Sequence, residues 1–527
     1  MNFSTIDYIV FGAYGALIIF IGLWVSRDKG GKEKDSADYF LAGKTLPWWA
    51  IGSSLIASNI SAEQFIGMSG SGFRLGLAIA TYEWMAAVTL LLVAWFFLPI
   101  FLKKGIFTMP QFLQVRYDNR VRTLLAVFWL TVFVFVNLTS VLYLGALAME
   151  NIMGVPLVYG MIGLSLFSII YSVYGGLKAV AWTDVVQVVF LIGGGLMTTW
   201  IALDAYGGLD KLMNDLPERF NMILFEGELL FKDDAGQTQD AYNLLPGLSV
   251  LVGGMWIANL YYWGCNQYII QRALAAKNIK EAQRGLAFAG YLKLILPLIV
   301  VIPGIVAYAL NAPIEKADAA YPWLLSNFVP SGFKGLAFAA LVAAIVSSLA
   351  SMMNSTSTIF TMDLYKPYIK KTASEKELVF VGRVVALVAM LVAGLVAYPL
   401  MGKSDQVFQN IQNWTGLVSP GVLAVFIMGL FYKKATANSA LVSALLSVPL
   451  SFAINTWLPS IPFMNRMGIV FLISLVLIVV ISRVEGKGAD SPNSIAHGEV
   501  VREKDPIFVA AAAGILLITT FLYAIFW

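Results

Sequence analysis

A single cysteine, Cys265, stands in a chain of 527 residues, so no internal disulfide framework exists. A single histidine, His497, argues against a histidine-rich metal site. Charge is scarce as well. Asp, Glu, Lys and Arg together make up 13% of the residues, whereas a soluble globular chain carries about 25%. A chain this short of charge cannot cover a water-facing surface. The formal net charge of +4 is too small to indicate nucleic-acid binding. Hydrophobic residues reach 59% and mean hydropathy is +0.77. Lipid is therefore the expected solvent. The 34 Phe, 22 Tyr and 14 Trp suit interfacial belts and ring-lined pockets.

A helix crossing a hydrocarbon core of about 30 Å needs roughly 20 mostly apolar residues. Fourteen stretches qualify: 7–26, 46–72, 76–102, 123–152, 156–174, 178–204, 247–272, 281–312, 335–364, 378–400, 404–431, 435–457, 462–483 and 507–527. No small-residue cleavage site follows the first, which reads as a retained helix rather than a signal peptide. Alternate loops then divide the basic residues unequally. One side holds 26 of the 35 Lys and Arg, counting 272–285 and 103–122 as loops, and the other holds eight. Lys293 is left inside a span. The positive-inside rule places the richer side in the cytoplasm and both termini outside. The longest loop, 205–246, falls outside. With eight acids and three bases, it is expected to be a loosely packed cap without chemistry.

Ionisable groups at membrane depth cost about 2.5–3.5 kcal/mol each on insertion scales and mark functional pathways. Glu83 and Lys293 lie well inside the third and eighth spans. Asp184 and Asp363 lie nearer the cytoplasmic ends of theirs. A structural ion pair or a snorkelling side chain is the competing reading for all four. Three spans also look broken. The second carries Asn59, Glu63 and Gln64 in its middle. The seventh carries Asn259, Gly264 and Asn266 among aromatics. The eleventh carries Gln409, Asn410, Gln412 and Asn413 ahead of Pro420-Gly421. Irregular backbone at membrane depth survives where it lines a cavity or is buried in protein, and interrupted spans point to a transporter's binding site. Close packing through small residues explains Gly67 with Ser71, but not the polar trio of the second span. In the ninth span, Ser347 and Ser348 could offer hydroxyl oxygens to a hard cation, and unwound backbone near Ala57 and Ile60 could offer carbonyls. Serine-rich packing is the alternative there.

The stretches Ala57-Ser58-Asn59-Ile60-Ser61-Ala62-Glu63-Gln64-Phe65-Ile66-Gly67, Tyr174-Gly175-Gly176-Leu177-Lys178-Ala179-Val180-Ala181-Trp182-Thr183-Asp184 and Ala258-Asn259-Leu260-Tyr261-Tyr262-Trp263-Gly264 resemble the sodium/solute symporter family. The resemblance runs over nearly the whole chain and is nearest to bacterial sugar-transporting members. It implies an all-α membrane protein with the inverted-repeat (5+5) symporter fold and discontinuous helices. The implied units are a first helix and cytoplasmic loop (1–45), a first five-helix repeat (46–204), an extracellular loop (205–246), a second repeat (247–431) and three peripheral helices (432–527).

The resemblance also implies the sites. Sugar hydroxyls would be held by Gln64, Glu83, Asn259, Lys293 and Gln412, with Asn59 matching as well. Met68, Tyr82 and Phe408 would wall the ring, and Tyr262 would be the inner gate. Sodium would meet the backbone carbonyls of Ala57, Ile60 and Ala344 and the hydroxyls of Ser347 and Ser348, with Asp184 aiding its exit. Two residues depart from the sugar-transporting pattern: Ala86 replaces a serine near the sugar, and Cys265 replaces a phenylalanine. The expected activity is sodium-coupled import of a neutral hexose, galactose or glucose, in a bacterial inner membrane. Sodium is the co-substrate, no organic cofactor or nucleic acid is implied, and no oligomeric state is specified. A symporter for inositol or an acidic sugar is the nearest rival. A channel lacks a ring-forming filter sequence. A membrane enzyme lacks a nucleophile motif or a metal-spaced cluster beside Glu63, Glu83 and Asp184.

Overall fold

The computed structural model describes residues 3–27, 34–233, 236–402, 407–495 and 505–527; the side chains of Tyr171, Tyr174 and residues 407–410 fall outside that description. Helices dominate. They are α1 (Thr5–Ser26), α2 (Trp48–Asn59), α3 (Ser69–Leu75), α4 (Thr81–Leu92), α5 (Asn119–Val132), α6 (Thr139–Met153), α7 (Leu157–Tyr206), α8 (Gly254–Leu260) and α9 (Gln267–Leu274). There follow α10 (Ile279–Val300), α11 (Ile302–Ala309), α12 (Phe333–Ile359), α13 (Glu375–Met401), α14 (Val407–Gly416), α15 (Ser419–Phe431), α16 (Ala437–Trp457), α17 (Phe463–Gly486) and α18 (Pro506–Ile525). Shorter helical turns join several of them.

Among the described residues, ten helical segments are long and apolar enough to cross a membrane, or eleven when the bent pair around Gly253 is taken as one span. The remaining three of the fourteen expected stretches, 46–72, 156–174 and 404–431, hold helices that are broken or short. Those breaks are why a length criterion passes over them. Helix α7 contains one of the interruptions. Gly176 there has φ +64°, and a Cβ on it would lie 2.4 Å from the Tyr39 carbonyl oxygen. Only glycine meets both demands.

The core is built by α12, which is almost wholly buried and packs against α7, and by α10, which packs against α2 and α4. Outer helices such as α13, α17 and α18 turn large apolar side chains outward, including Leu395, Val476 and Leu517. Several helices widen into π turns, at Glu63–Met68, Val93–Phe97, Phe133–Leu138, Tyr261–Cys265 and Phe360–Ile369. Such turns arise where one residue too many is fitted into an α-helix, and they gather at functional sites.

The loop 205–246 corrects the expectation of a loose cap. It contains a helix at Leu209–Asp215 and a hairpin of β1 (Leu230–Lys232) and β2 (Thr238–Asp240). Phe220, Met222, Ile223 and Leu224 are buried. Arg219 is also buried and donates to the carbonyls of Phe73 at 2.7 Å and Arg74 at 3.2 Å. The apolar run within an acidic loop anchors it to the membrane domain. The loop assignments of three arginines need correction too. Arg116, Arg122 and Arg272 are buried: α5 and α9 run on past the apolar stretches to hold Arg122 and Arg272, a separate short helix, Met109–Arg116, holds Arg116, and hydrogen bonds replace water. Arg116, for example, donates to the carbonyls of Gly429 and Tyr432.

Candidate functional site

Helix α2 stops at Asn59, and Ile60 is extended (φ −77°, ψ 100°). The break is specified locally. The Ser61 amide donates to Gln64 Oε1 at 3.2 Å, and the Gln64 amide donates to the Ser61 carbonyl at 3.2 Å. In a continuous α-helix these two amides would bond the carbonyls of Ala57 and Ile60. The side chain of Gln64 thus diverts its own segment and releases those two carbonyls from helical bonding. A second break faces it. The segments flanking Gly253 bend by 79°, α8 passes into a π turn, and Asn266 is extended (φ −84°, ψ 123°) before α9 begins.

Between the breaks lies a cavity of about 80 Å³. Asn59, Gln64, Met68, Tyr82, Glu83, Asn259, Tyr262, Lys293 and Gln412 all line it. Phe408 is the one expected lining residue whose side chain is outside the described residues. Ala86 is also on the wall. Lys293 Nζ forms a buried ion pair with Glu83 Oε2 and also donates to Asn59 Oδ1. The ammonium sits 5.0 Å from the ring centre of Trp263. Asn59 Nδ2 donates to the Tyr262 hydroxyl at 2.9 Å, and that hydroxyl is hydrogen-bonded to Tyr268. A continuous polar chain therefore joins Glu83, Lys293, Asn59, Tyr262 and Tyr268. Gln412 hydrogen-bonds the Tyr82 hydroxyl. Glu63 lines the same cavity, and its Oε1 accepts from Ser140 Oγ at 3.1 Å.

A second polar cluster fills the seam between α2 and α12. Ala344, Ser347 and Ser348 are fully buried there. Ser348 Oγ donates to the Ser58 carbonyl at 2.9 Å, and Ser58 Oγ lies 3.0 Å from Ser351 Oγ. Asp184 accepts from Ser347 Oγ on one oxygen and from Ser54 Oγ at 2.5 Å on the other. A hydroxyl that donates one hydrogen bond keeps lone pairs for a cation. The released carbonyls of Ala57 and Ile60 end the helix that lines this seam. The seam thus collects the oxygen types that a hard cation takes.

Arg272 is the residue that the sequence concealed. Its Nε donates to Ser54 Oγ at 3.0 Å, and its Nη atoms donate to the Tyr268 carbonyl and to Ser351 Oγ. The available signal was its place at the end of the seventh span, 247–272, with Ala273-Leu274-Ala275-Ala276 still apolar beyond it. Asn266, one of the residues that interrupt the seventh span, also lines the cavity, as does Asn137, which was not singled out. Asp363 proves structural: it is paired with Arg122 at 2.8 Å, away from both clusters.

The model of the sodium:solute symporter family matches residues 39–447. The chain belongs to the sodium:solute symporter family. It is 52% identical over a 548-residue alignment to the sodium/glucose cotransporter of Vibrio parahaemolyticus, covering 99% of this chain and 98% of that one. It is 35% identical over 473 residues to sodium/myo-inositol cotransporter 2 of Oryctolagus cuniculus, covering 85% and 69%. A substrate-bound, outward-open sodium-coupled sialic acid symporter superposes with a TM-score of 0.80 at 25% identity, covering 94% of this chain and all of that one. The symporter therefore has the inverted-repeat, discontinuous-helix fold, and its co-substrate is sodium.

Proposed function

We propose that this symporter carries a neutral hexose, glucose or galactose, inward with sodium. The observation that carries the reading is the buried Glu83–Lys293 pair on the wall of a cavity otherwise furnished with neutral amides and hydroxyls. A pyranose presents hydroxyls around an apolar ring. Lys293 donates, Glu83 accepts, and Gln64, Asn259 and Gln412 do both. Met68, Tyr82 and Tyr262 supply flat or apolar surface for the ring. Among the described lining residues there is no arginine, and the single lysine shares the wall with two carboxylates, Glu83 and Glu63. That balance disfavours an acidic sugar. The relative named as a sodium/glucose cotransporter supports the same choice.

Sodium is assigned to the carbonyls of Ala57, Ile60 and Ala344 and the hydroxyls of Ser347 and Ser348, with Asp184 beside its exit. Sodium bound there holds the end of α2, which places Asn59 and Gln64 for the sugar. The loaded core then opens inward as Tyr262 leaves the chain of hydroxyls beneath the cavity. One positive charge moving inward yields about 2.3 kcal/mol per 100 mV. Repeats at 46–204 and 247–431, a bacterial inner-membrane location and external termini complete the proposal. The basic-residue asymmetry supports that orientation, since removing the buried arginines from both sides leaves it standing.

The test is uptake of labelled glucose, galactose and myo-inositol into proteoliposomes, with sodium or potassium outside. Sodium-dependent accumulation of a hexose above the external concentration is expected. Accumulation of myo-inositol alone, or equal entry with potassium, would overturn the assignment.

A further inference from the structure

A groove of about 730 Å³ opens on the outer surface, on the side of α12 away from the serine seam. Thr356, on its wall, is nine residues beyond Ser347, which at 3.6 residues per turn is half a turn round the helix. The walls are α5 with its π continuation, the end of α12 with the π turn Phe360–Ile369, and α13. Val127 and Phe135, Phe360 and Leu364, and Phe380 and Val388 represent the three walls. Many of these side chains are open to the surroundings; Val127, Phe380 and Val388 are each at least half exposed.

Three features separate this groove from ordinary lipid-facing surface. The first is depth. Its α13 wall runs from Phe380 to Val392, about 18 Å at 1.5 Å per residue. One leaflet of a core of about 30 Å is about 15 Å deep, so the groove is one leaflet long. The second is a fixed mouth. The hydroxyls of Thr123 and Tyr368 lie 2.6 Å apart and join two walls, while Tyr365 donates to Glu377 at 2.6 Å and joins the third. The third is charge. Lys366, Lys370 and Lys371 sit at that mouth, with Arg120 nearby on α5. Lys370 is paired with Glu377 and Arg120 with Asp118, and Glu375 lies within electrostatic reach of Lys366, but over 366–377 four lysines stand against two glutamates, so the mouth keeps an excess positive charge.

We propose that the groove is a binding site for an anionic phospholipid of the lysine-side leaflet. One acyl chain would lie between α5, α12 and α13, with the phosphate held by Lys366 and Lys371. Apolar burial supplies affinity for the chain, and each lysine near the surface adds a preference of about fivefold for an anionic headgroup.

The full-length symporter in nanodiscs is to be photolabelled with phosphatidylglycerol and with phosphatidylcholine carrying the same diazirine acyl chain. Phosphatidylglycerol is expected to label segments 127–135 and 380–392 more strongly, whereas both lipids label the outward face of α18 equally. Lys366→Gln and Lys371→Gln should each reduce the phosphatidylglycerol preference about fivefold. Val388→Trp, which fills the groove, should abolish labelling of both segments and leave α18 labelled, which also reports that the variant is folded. Equal labelling of the groove by both lipids in the wild-type chain, or labelling that survives Val388→Trp, would mean ordinary surrounding lipid and overturn the site.

Discussion

A lysine at the depth of a bilayer core is tolerated when its charge is met, and Lys293 is met twice, by Glu83 and by Asn59. Removing one partner of such a pair leaves an uncompensated buried charge, at about 3–5 kcal/mol, whereas replacing both often restores stability. Glu83→Gln and Lys293→Met alone should therefore unfold at lower temperature, and the double variant should recover. Sugar binding should behave differently. Each hydrogen bond to a charged group is worth about 1.5–3 kcal/mol, so affinity should fall at least tenfold in both single variants and stay lost in the double. Equilibrium binding and thermal unfolding on the same preparations separate the two roles. Binding that returns with stability would make the pair purely structural. Both charges stood out in the sequence because each interrupts an apolar run. Their pairing joins residues 210 positions apart, which no local pattern in the sequence encodes. Arg272 was hidden because charge at the end of an apolar run reads as a loop, and only packing shows that Ser54 and Ser351 enclose it.

At the scale of elements, polar residues inside apolar stretches marked breaks, and the structure breaks at Ile60, at Asn266 and at 417–418, whereas the bend near Gly253 carried no such mark. The π turns were not legible, since hydropathy is the same for an α turn and a wider one. Nor was the packing of loop 205–246, whose acids masked a short apolar anchor. Close helix contacts depend on glycines in a way that can be tested. A Cβ on Gly304 of α11 would lie 2.0 Å from the Ser69 carbonyl oxygen, and one on Gly72 of α3 would lie 2.5 Å from that of Val301. These neighbours are backbone and cannot turn aside. Gly304→Ala should destabilise the symporter by about 1–3 kcal/mol or more, read as a lower melting temperature. Gly12→Ala, with nothing within 4 Å, should not lower the melting temperature, since alanine also favours the helix interior.

At the scale of the whole molecule, the proposed sites put the four residues 57–60 between two ligands. The Ser58 carbonyl accepts from Ser348 on α12, while the next residue, Asn59, contacts Lys293 and Tyr262 in the cavity. One short stretch of backbone thus borders both the serine seam and the proposed sugar cavity. A cation that fixes the stretch also fixes Asn59, so each ligand should favour the other. Linkage makes the effect reciprocal: the factor by which sodium tightens sugar binding must equal the factor by which sugar tightens sodium binding, and such factors typically run from about 5-fold to 150-fold. Titration calorimetry of each ligand, with and without saturating amounts of the other, should give one common factor. Ser348→Ala removes a hydroxyl from the seam and touches nothing in the cavity. It should weaken sodium and bring the sugar's affinity in sodium down toward its sodium-free value, while leaving that sodium-free value as it was. If instead the variant lost sugar binding without sodium as well, the seam and the cavity would be one structural unit, and the backbone at 57–60 would not be the link between them.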